Sequence, residues 1–316
     1  MNTGLCNNTT MADRTAKDAF LAVVESTILG AINIAALVGN SLVCLAFYRK
    51  SSIRSKVTNY FVVSLAVTDL AVALVVMPLT VASTIANQWI FGTVGCKISF
   101  FVGFICGGTS LLTTILLAIN RYFCVVRRDS YNVIFSRQYS LAMTVAAWIV
   151  AMVGTILIYY VTPMMFRVYA IQPSICFRVA STTRYVLSVK IVRCVFIAVP
   201  GFVVVCCYVR IYRTIKMHNN NRKMFSKQCS LYGVDAQKTT RILTVVVVWF
   251  YLSWSPIFLN NILTMFNLYD DEAALKYSNL HYTIPLFASS VVNPIIYAVL
   301  GTEFREEFRK ICSCGK

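Results

Sequence analysis

Seven long runs of apolar residues, separated by short polar segments, most constrain what this chain can fold into. A helix needs about 20 such residues to cross the hydrocarbon core of a bilayer. Apolar types make up 58% and charged types 13% of the 316 residues, more apolar than soluble or disordered chains are. We therefore predict an all-α membrane protein built as a seven-transmembrane helix bundle. The predicted spans are Leu21–Tyr48, Tyr60–Ala86, Ile98–Val126, Tyr139–Val161, Val186–Tyr212, Ile242–Phe266 and Tyr277–Leu300.

The basic residues are divided unevenly between the two sides of this bundle. Of the 29 Lys and Arg residues, 20 fall in the last turns of spans one, three, five and seven or in the segments that follow them, and such an excess marks the cytoplasmic side. We predict a multi-pass protein of the plasma membrane with residues 1–20 as an extracellular amino terminus, 21–300 as the seven-transmembrane domain, and 301–316 as an amphipathic helix and short cytoplasmic tail. The positional bias disfavours nucleic-acid binding, the other interpretation of a charge of +17.

Two kinds of covalent modification agree with this orientation. Asn7 and Asn8 begin overlapping N-glycosylation sequons, although short sequons also arise by chance. Cys312 and Cys314 follow the amphipathic segment Glu303–Ile311 and are candidates for palmitoylation. Plain reduced thiols are the alternative.

One acidic residue lies deep inside a predicted span. Asp69 is in the middle of the second span, where a charge costs at least about 2.5–3.5 kcal/mol. A cation, a hydrogen-bonded cluster or protonation must compensate, and a purely structural polar cluster is the alternative to a functional one. The polar residues of other spans that are available as partners are Asn40, Ser110, Ser289 and Asn293.

An ordered set of residues, at least one in each span, resembles the rhodopsin-like (class A) G-protein-coupled receptors. The resemblance covers the chain from Leu21 to Ile311, and the triplet Asn120-Arg121-Tyr122 and the loop Asn87-Gln88-Trp89 are most similar to melatonin-type receptors. The residues that carry it are Gly39-Asn40, Leu65–Asp69, Cys96, Asn120-Arg121-Tyr122, Trp148, Pro200 with Tyr208, Phe250 with Trp254-Ser255-Pro256, and Asn293–Tyr297.

The resemblance implies a role for each of these positions. Cys96 and Cys176 would form a disulfide, and a sodium ion, the only cofactor implied, would bind at Asp69 among Asn40, Ser110, Ser289 and Asn293. The activation switch would consist of Leu111, Pro200, Phe250, Trp254 and Pro256. The side facing a heterotrimeric G protein would include Asn120, Arg121, Tyr122, Tyr208, Pro294 and Tyr297.

Several positions depart from the family pattern. Asn120 replaces the usual Asp beside Arg121, and Ala236 replaces an acid at the base of the sixth span, which predicts a weaker inactive-state lock. Gly103 stands where amine receptors carry an Asp, and Phe287 stands where opsins carry the Schiff-base Lys. A biogenic amine held in the usual way and an opsin are therefore both disfavoured.

The ligand itself stays open between a melatonin-like molecule and an anionic small molecule. Arg178 and Arg193 suit an anion if they face the cavity, but snorkelling to the membrane interface is the alternative. The glycines of the third span either allow close helix packing or leave room for a bulky ligand. The candidate pocket comprises Gly103, Gly107, Arg178, Arg193, Trp254, Asn261 and Phe287.

Other function classes fit the sequence less well. A transporter or channel predicts repeated spans and several buried ionisable groups, and an enzyme predicts a nucleophile set or paired acids. Neither pattern is visible. We predict a receptor without catalytic chemistry whose partners are an extracellular ligand, a heterotrimeric G protein and membrane lipid.

Overall fold

Eight long helices account for most of the computed structural model. The structure describes the backbone of residues 5–161, 164–168, 176–180, 183–222, 230–266 and 282–313, and the side chains of 20–160, 196–217, 239–260, 262–263, 266 and 282–313. Short helices, Ser51–Arg54 and Arg128–Ile134, follow helices 1 and 3. The long helices, numbered in chain order, are helix 1, Leu5–Arg49; helix 2, Thr58–Ile85; helix 3, Gly92–Val126; helix 4, Arg137–Val161; helix 5, Thr183–Arg222; helix 6, Ser230–Met265; helix 7, Ile284–Leu300; and helix 8, Thr302–Ser313.

The predicted spans coincide with these helices. Within the described residues, 6 helices are long and apolar enough to cross a membrane. Helix 7 has 17 residues, and the first part of its predicted span, 277–281, lies outside the described residues. The axis turns by 101° between helices 7 and 8, so helix 8 leaves the bundle instead of extending the last span. The predicted seven-helix bundle with a short helix after it is confirmed.

Helix 1 begins earlier than its predicted span. It starts at Leu5 and has 45 residues, although the predicted crossing begins at Leu21. The segment from Leu5 to Phe20 contains neither proline nor glycine, the two residues that most readily end a helix. The helix therefore continues beyond the length that a bilayer requires.

Helix 2 contains a wide turn where a proline interrupts its hydrogen bonding. Residues Val72–Val76 form one turn of π-helix, and the N–H of Met77 donates to the carbonyl of Val72. Pro78 follows directly and has no N–H to donate to the carbonyl four residues before it. A π turn and a proline together are a common cause of bending in a helix.

A two-stranded hairpin lies between helices 4 and 5, a feature that apolar periodicity did not predict. Strand β1, Met164–Val168, pairs antiparallel with strand β2, Cys176–Ala180. Cys96 near the start of helix 3 is buried and disulfide-bonded, and helix 3 contacts strand β2. The side chain of Cys176 lies outside the described set, so its pairing with Cys96 stays a prediction.

A glycine allows the sharp turn into helix 8. The N–H of Gly301 donates to the carbonyl oxygen of Tyr297 at 2.9 Å, and a Cβ on Gly301 would lie 2.6 Å from that oxygen. Any other residue would have to open this turn. The apolar side chains Phe304 and Phe308 then pack back against the bundle.

Two apolar clusters and a polar layer between them form the interior of helices 1, 2 and 7. The Arg121-end core includes Val43, Phe61, Leu65, Leu117, Val246, Ile296, Tyr297 and Phe304. The Trp89-end core comprises Leu29, Ala36, Ala73, Met77 and Phe287. In each of the three helices the polar residues fall between the members of the two cores; this polar layer comprises Asn40, Asp69, Ser290 and Asn293.

Candidate functional site

The carboxylate of Asp69 joins helix 2 to helix 7. Ser290 Oγ donates to Asp69 Oδ1 at 2.7 Å, and Asn293 Nδ2 donates to Asp69 Oδ2 at 3.1 Å. Asp69 is 8% exposed. Both carboxylate oxygens therefore have neutral donors, which supply part of the compensation that a buried charge requires.

The other polar residues predicted around Asp69 lie nearby but bind different groups. Asn40 Nδ2 donates to the carbonyl oxygen of Ser290 at 2.8 Å, which fixes helix 1 against helix 7. The hydroxyls of Ser110 and Thr68 are 2.8 Å apart, and Ser289 Oγ donates to the carbonyl of Leu286 in its own helix. The hydroxyl at the carboxylate thus belongs to Ser290, one residue after the predicted Ser289.

This donor set fits a sodium ion in its chemistry. Carboxylate, hydroxyl and amide oxygens are the ligands that hard cations prefer. Asn40 Oδ1 is buried without a hydrogen-bond partner in the described part of the chain. Asp69, Ser110 and Asn40 are the residues whose oxygens would hold the cation.

A second polar contact links helices 2, 3 and 4. Trp148 Nε1 donates to Ser64 Oγ at 3.2 Å, and Ser64 Oγ lies 3.5 Å from Thr113 Oγ1. The indole N–H of a buried tryptophan requires such a partner. Ser64 therefore holds helix 4 in register with helices 2 and 3.

Three of the predicted switch residues surround one small cavity. Leu111, Phe250 and Trp254 line a space of about 10 Å³ together with Phe196 and Ile197 of helix 5. A cavity of about this size holds one water at most. The rings of Phe250 and Trp254 are 5.8 Å apart, so helices 3, 5 and 6 are tightly packed at this level. Pro200 and Pro256 lie within helices 5 and 6 respectively.

The three glycines of the predicted third span, all in helix 3, have different surroundings, which separates the two explanations left open by the sequence. A Cβ on Gly107 would lie 3.3 Å from Cη2 of Trp254, and a Cβ on Gly108 would lie 3.2 Å from Cβ of Ala151. A Cβ on Gly103 would meet no described atom within 4 Å. Gly107 and Gly108 therefore allow close packing, whereas no described atom packs against Gly103.

Arg121 lies at the far end of helix 3 and is 4% exposed. Its guanidinium donates to Asn120 Oδ1 and to Thr58 Oγ1 of helix 2. Thr58 Oγ1 also donates to Asn120 Oδ1 at 3.0 Å, and Asn120 Nδ2 lies 3.5 Å from Tyr131 Oη. No carboxylate lies within ion-pair distance of Arg121 among the described side chains.

The remaining residues predicted for this end line the same region. Tyr297 is buried in the Arg121-end core, and Tyr208 packs beside Ala118 and Val247. Tyr122 stacks edge-on against Phe123. A Cβ on Gly39 would lie 2.9 Å from the ring of Pro294, which shows how closely helices 1 and 7 approach.

Ion pairs attach helix 8 to the end of helix 1 and to the connection that follows it. Lys56 Nζ lies 2.8 Å from Glu303, Lys50 Nζ 3.4 Å from Glu306, and Arg49 Nε 3.9 Å from Glu307. All three acids of helix 8 therefore face bases of one neighbouring segment. These contacts fix the rotation of helix 8 about its axis.

The candidate ligand pocket is only partly covered by the described side chains. Phe287 is 5% exposed and belongs to the Trp89-end core, and Trp254 packs against Gly107 of helix 3. Arg178 is paired in register with Phe166 across the hairpin. The side chains of Arg178, Arg193, Asn261, Asn7 and Asn8, and all of Cys314, lie outside the described set.

Sequence reasoning missed two residues of these clusters and one further buried acid. Ser290 was hidden by its neighbour Ser289, and Thr58 precedes the predicted start of the second span at Tyr60. Glu25 is 7% exposed in helix 1, one turn inside the predicted span. A search for polar residues at the ends of spans would have found the latter two.

Comparison with known proteins identifies the same pattern over most of the chain. Residues 39–297 match the family described as 7 transmembrane receptor (rhodopsin family). Melatonin receptor type 1B of Mus musculus is 28% identical over 94% of this chain and 80% of the relative. Melanopsin-B of Xenopus laevis is 26% identical over 94% of this chain, which spans 56% of that relative's length. The crystal structure of squid rhodopsin superimposes with a TM-score of 0.77 at 24% identity, covering 94% of this chain and 88% of that one.

Proposed function

This chain belongs to the rhodopsin family of seven-transmembrane receptors, and we propose that it binds an extracellular ligand within the bundle and activates a heterotrimeric G protein. The Trp89 end is extracellular and the Arg121 end is cytoplasmic in this proposal. The distribution of basic residues supports that orientation. A ligand shifts such a bundle between two states only by its differential affinity for them.

The observation that carries this proposal is the neutral cage around Arg121. A guanidinium buried at the end of helix 3 is held by Asn120 and Thr58 through hydrogen bonds, and net hydrogen bonds to a charged group contribute about 1.5–3 kcal/mol each. That amount is within the range that ligand binding supplies. When ligand binding separates the helices, these hydrogen bonds break and Arg121 becomes available to contact the G protein.

A nucleotide-exchange assay tests the proposed activity. The receptor and its Arg121→Ala variant are reconstituted with G protein, and guanine-nucleotide exchange is measured. We expect Arg121→Ala to abolish exchange and Arg137→Ala, a change at an exposed arginine of helix 4, to retain it. Full exchange by the Arg121→Ala variant would contradict the proposal.

For the ligand, we propose a melatonin-like or anionic small molecule that enters beside Gly103. No described atom lies within 4 Å of a Cβ placed on Gly103, whereas the ring of Trp254 packs against Gly107. This difference supports a ligand that binds beside Gly103, between Trp254 and the Trp89 end of the bundle. Melatonin and a set of small carboxylates are the probes, with exchange as the readout. If carboxylates act, Arg193→Glu should abolish their response. An unchanged response would remove Arg193 from the pocket.

For sodium, we propose binding at Asp69 that stabilises the resting state. The expected result is a higher thermal unfolding midpoint in sodium than in choline chloride for the wild type, and no such difference for Asp69→Asn. Equal midpoints in both salts for the wild type would contradict the site. Ser289→Ala is the matched control, because its hydroxyl binds only its own helix in the described structure.

We also propose plasma-membrane localisation, glycosylation at Asn7 or Asn8, the Cys96–Cys176 disulfide, and palmitoylation at Cys312 or Cys314. Cys312 is free and exposed at the end of helix 8, which supports acylation there. Surface labelling of an amino-terminal epitope on intact cells, with and without glycosidase, tests the first two. Labelled palmitate incorporation into Cys312→Ser and Cys314→Ser variants tests acylation.

A further inference from the structure

Two segments at the Arg121 end end in a serine that follows a pair of basic residues at the same spacing. The segments are Arg49–Ser52, after helix 1, and Arg127–Ser130, after helix 3. In both, the bases stand three and two positions before the serine. Protein kinases select substrates by such charge patterns, because carboxylates in the enzyme bind guanidinium groups in a bidentate manner. The sequence alone therefore offers two equivalent candidates for phosphorylation.

The ion pairs of the structure distinguish the two segments. Both bases of the first segment lie near acids of helix 8, Arg49 at 3.9 Å and Lys50 at 3.4 Å. Arg127 and Arg128 are exposed, and no described carboxylate lies within ion-pair distance of either. A kinase can therefore bind both bases of the second segment directly, whereas it must first break two ion pairs in the first segment.

The two serines also lie in short helices that differ in their anchorage. Ile53, which follows Ser52 directly, is 0% exposed. The short helix Arg128–Ile134, whose side chains are all described, contains no buried residue and has no side-chain cap at its start. An isolated helix of this length is marginal in water, and a segment with few buried contacts opens at little cost. Because a kinase must draw its acceptor out of the helix, Ser130 is the more accessible serine.

We propose that Ser130 is phosphorylated by a cytoplasmic protein kinase that recognises paired arginines. Its Oγ forms a bond to the γ-phosphorus of ATP, the bond from that phosphorus to the bridging oxygen breaks to release ADP, and the hydroxyl proton passes to a carboxylate of the kinase. This inference rests on the proposed orientation, in which the Arg121 end is cytoplasmic.

The phosphate would lie close to the cage around Arg121. It adds a charge of about −1.5 to −2 at the residue before Tyr131, whose hydroxyl is 3.5 Å from Asn120 Nδ2. Asp129 and the two exposed arginines before it carry a net charge of +1. Phosphorylation therefore reverses the sign of the charge that this segment presents.

The test is incorporation of labelled phosphate from ATP into the full-length receptor in detergent, with the catalytic subunit of cyclic-AMP-dependent protein kinase as the probe. We expect the phosphate at Ser130, assigned by peptide mass spectrometry, and its loss in Ser130→Ala. The Arg127→Gln/Arg128→Gln variant keeps the serine and should lower incorporation by about tenfold or more for each base removed, as expected for hydrogen bonds to a charged group. Thermal unfolding midpoints show whether each variant is folded.

Ser52→Ala is the matched control, because it removes the other serine that follows two bases, and it should leave incorporation unchanged. The proposal is overturned if no phosphate is incorporated, if the label lies at Ser52 instead, or if the Arg127→Gln/Arg128→Gln variant is labelled as strongly as the wild type. Detergent exposes both ends of the bundle to the kinase, so these results do not depend on the orientation or on G-protein activation. The nucleotide-exchange assay tests the proposed function separately.

Discussion

Asp69 and Arg121 are buried in separate clusters, and neither has an opposite charge within ion-pair distance among the described side chains. Asp69 is held by Ser290 and Asn293, and Arg121 by Asn120 and Thr58. The two clusters differ in the helices that they join. Asp69 connects helix 2 to helix 7, whereas Arg121 connects helix 3 to helix 2.

This difference assigns the clusters separate mechanical roles. Helix 7 cannot move away from helix 2 without breaking hydrogen bonds to a charged carboxylate, which are stronger than bonds between neutral groups. The described contacts of Arg121 do not reach helix 6, of which side chains before residue 239 lie outside the described set. Among the described side chains, the polar layer therefore restrains helix 7 and the Arg121 cage restrains helix 3, each against helix 2.

Giving Arg121 an acidic partner should strengthen the Arg121 cage, and we expect this change to have the largest effect on the receptor. Asn120→Asp places a carboxylate on the guanidinium, and a charged hydrogen bond contributes about 1.5–3 kcal/mol. We expect ligand-independent nucleotide exchange to fall by about tenfold or more. Asn120→Ala, which removes the acceptor, should raise exchange, and a rise for both variants would contradict the role of the cage.

Forcing helix 1 away from helix 7 should weaken the polar layer, because Asn40 of helix 1 donates a hydrogen bond to Ser290 of helix 7. Gly39→Val inserts a side chain where Pro294 already lies 2.9 Å from a Cβ, and overpacking of this kind costs about 1–3 kcal/mol. We expect a lower thermal unfolding midpoint in detergent. Gly30→Val is the control, because a Cβ there meets no described atom within 4 Å. Equal midpoints for the two variants would show that helix 1 does not support the layer.

Removing one donor to Asp69 should have an intermediate effect. Ser290→Ala deletes an interhelical hydrogen bond, which contributes about 0.6 kcal/mol on average and up to about 1.7 in membranes. Ser289→Ala deletes only a bond within helix 7. We expect a lower unfolding midpoint for Ser290→Ala alone. A larger loss for Ser289→Ala would show that the described rotation of helix 7 is incorrect.

Reversing a surface ion pair should have the smallest effect, because exposed pairs contribute only about 0.2–1 kcal/mol. Lys56→Glu and Glu303→Lys should each lower the unfolding midpoint slightly by placing like charges together. The double variant should recover most of the loss. If it does not, Lys56 and Glu303 do not interact as the 2.8 Å separation indicates.

The sequence predicted the helices well because crossing a membrane requires long apolar runs, and these are visible without knowledge of their contacts. It predicted the site less completely because one residue of rotation separates Ser289 from Ser290, and both are serines. Such rotations depend on contacts between helices, such as the approach of Pro294 in helix 7 to Gly39 in helix 1. These contacts do not follow from the periodicity of one span.

The glycines of helix 3 illustrate the same limit. Gly103, Gly107 and Gly108 lie within two turns of one helix. Only their neighbours show that Gly107 contacts the ring of Trp254, that Gly108 contacts helix 4, and that no described atom lies near Gly103. Those neighbours belong to helices 4 and 6, which are distant in sequence. The residue types therefore predicted that small side chains are important at these positions, but they could not predict the role of each glycine.

The polar layer also has an evolutionary consequence. Because it divides the apolar interior of helices 1, 2 and 7 into two blocks that share few side chains, substitutions above it and below it are largely independent. A descendant of this protein can therefore accumulate substitutions in one block while the other block stays intact. Selection then needs to preserve only the polar layer that lies between the two blocks.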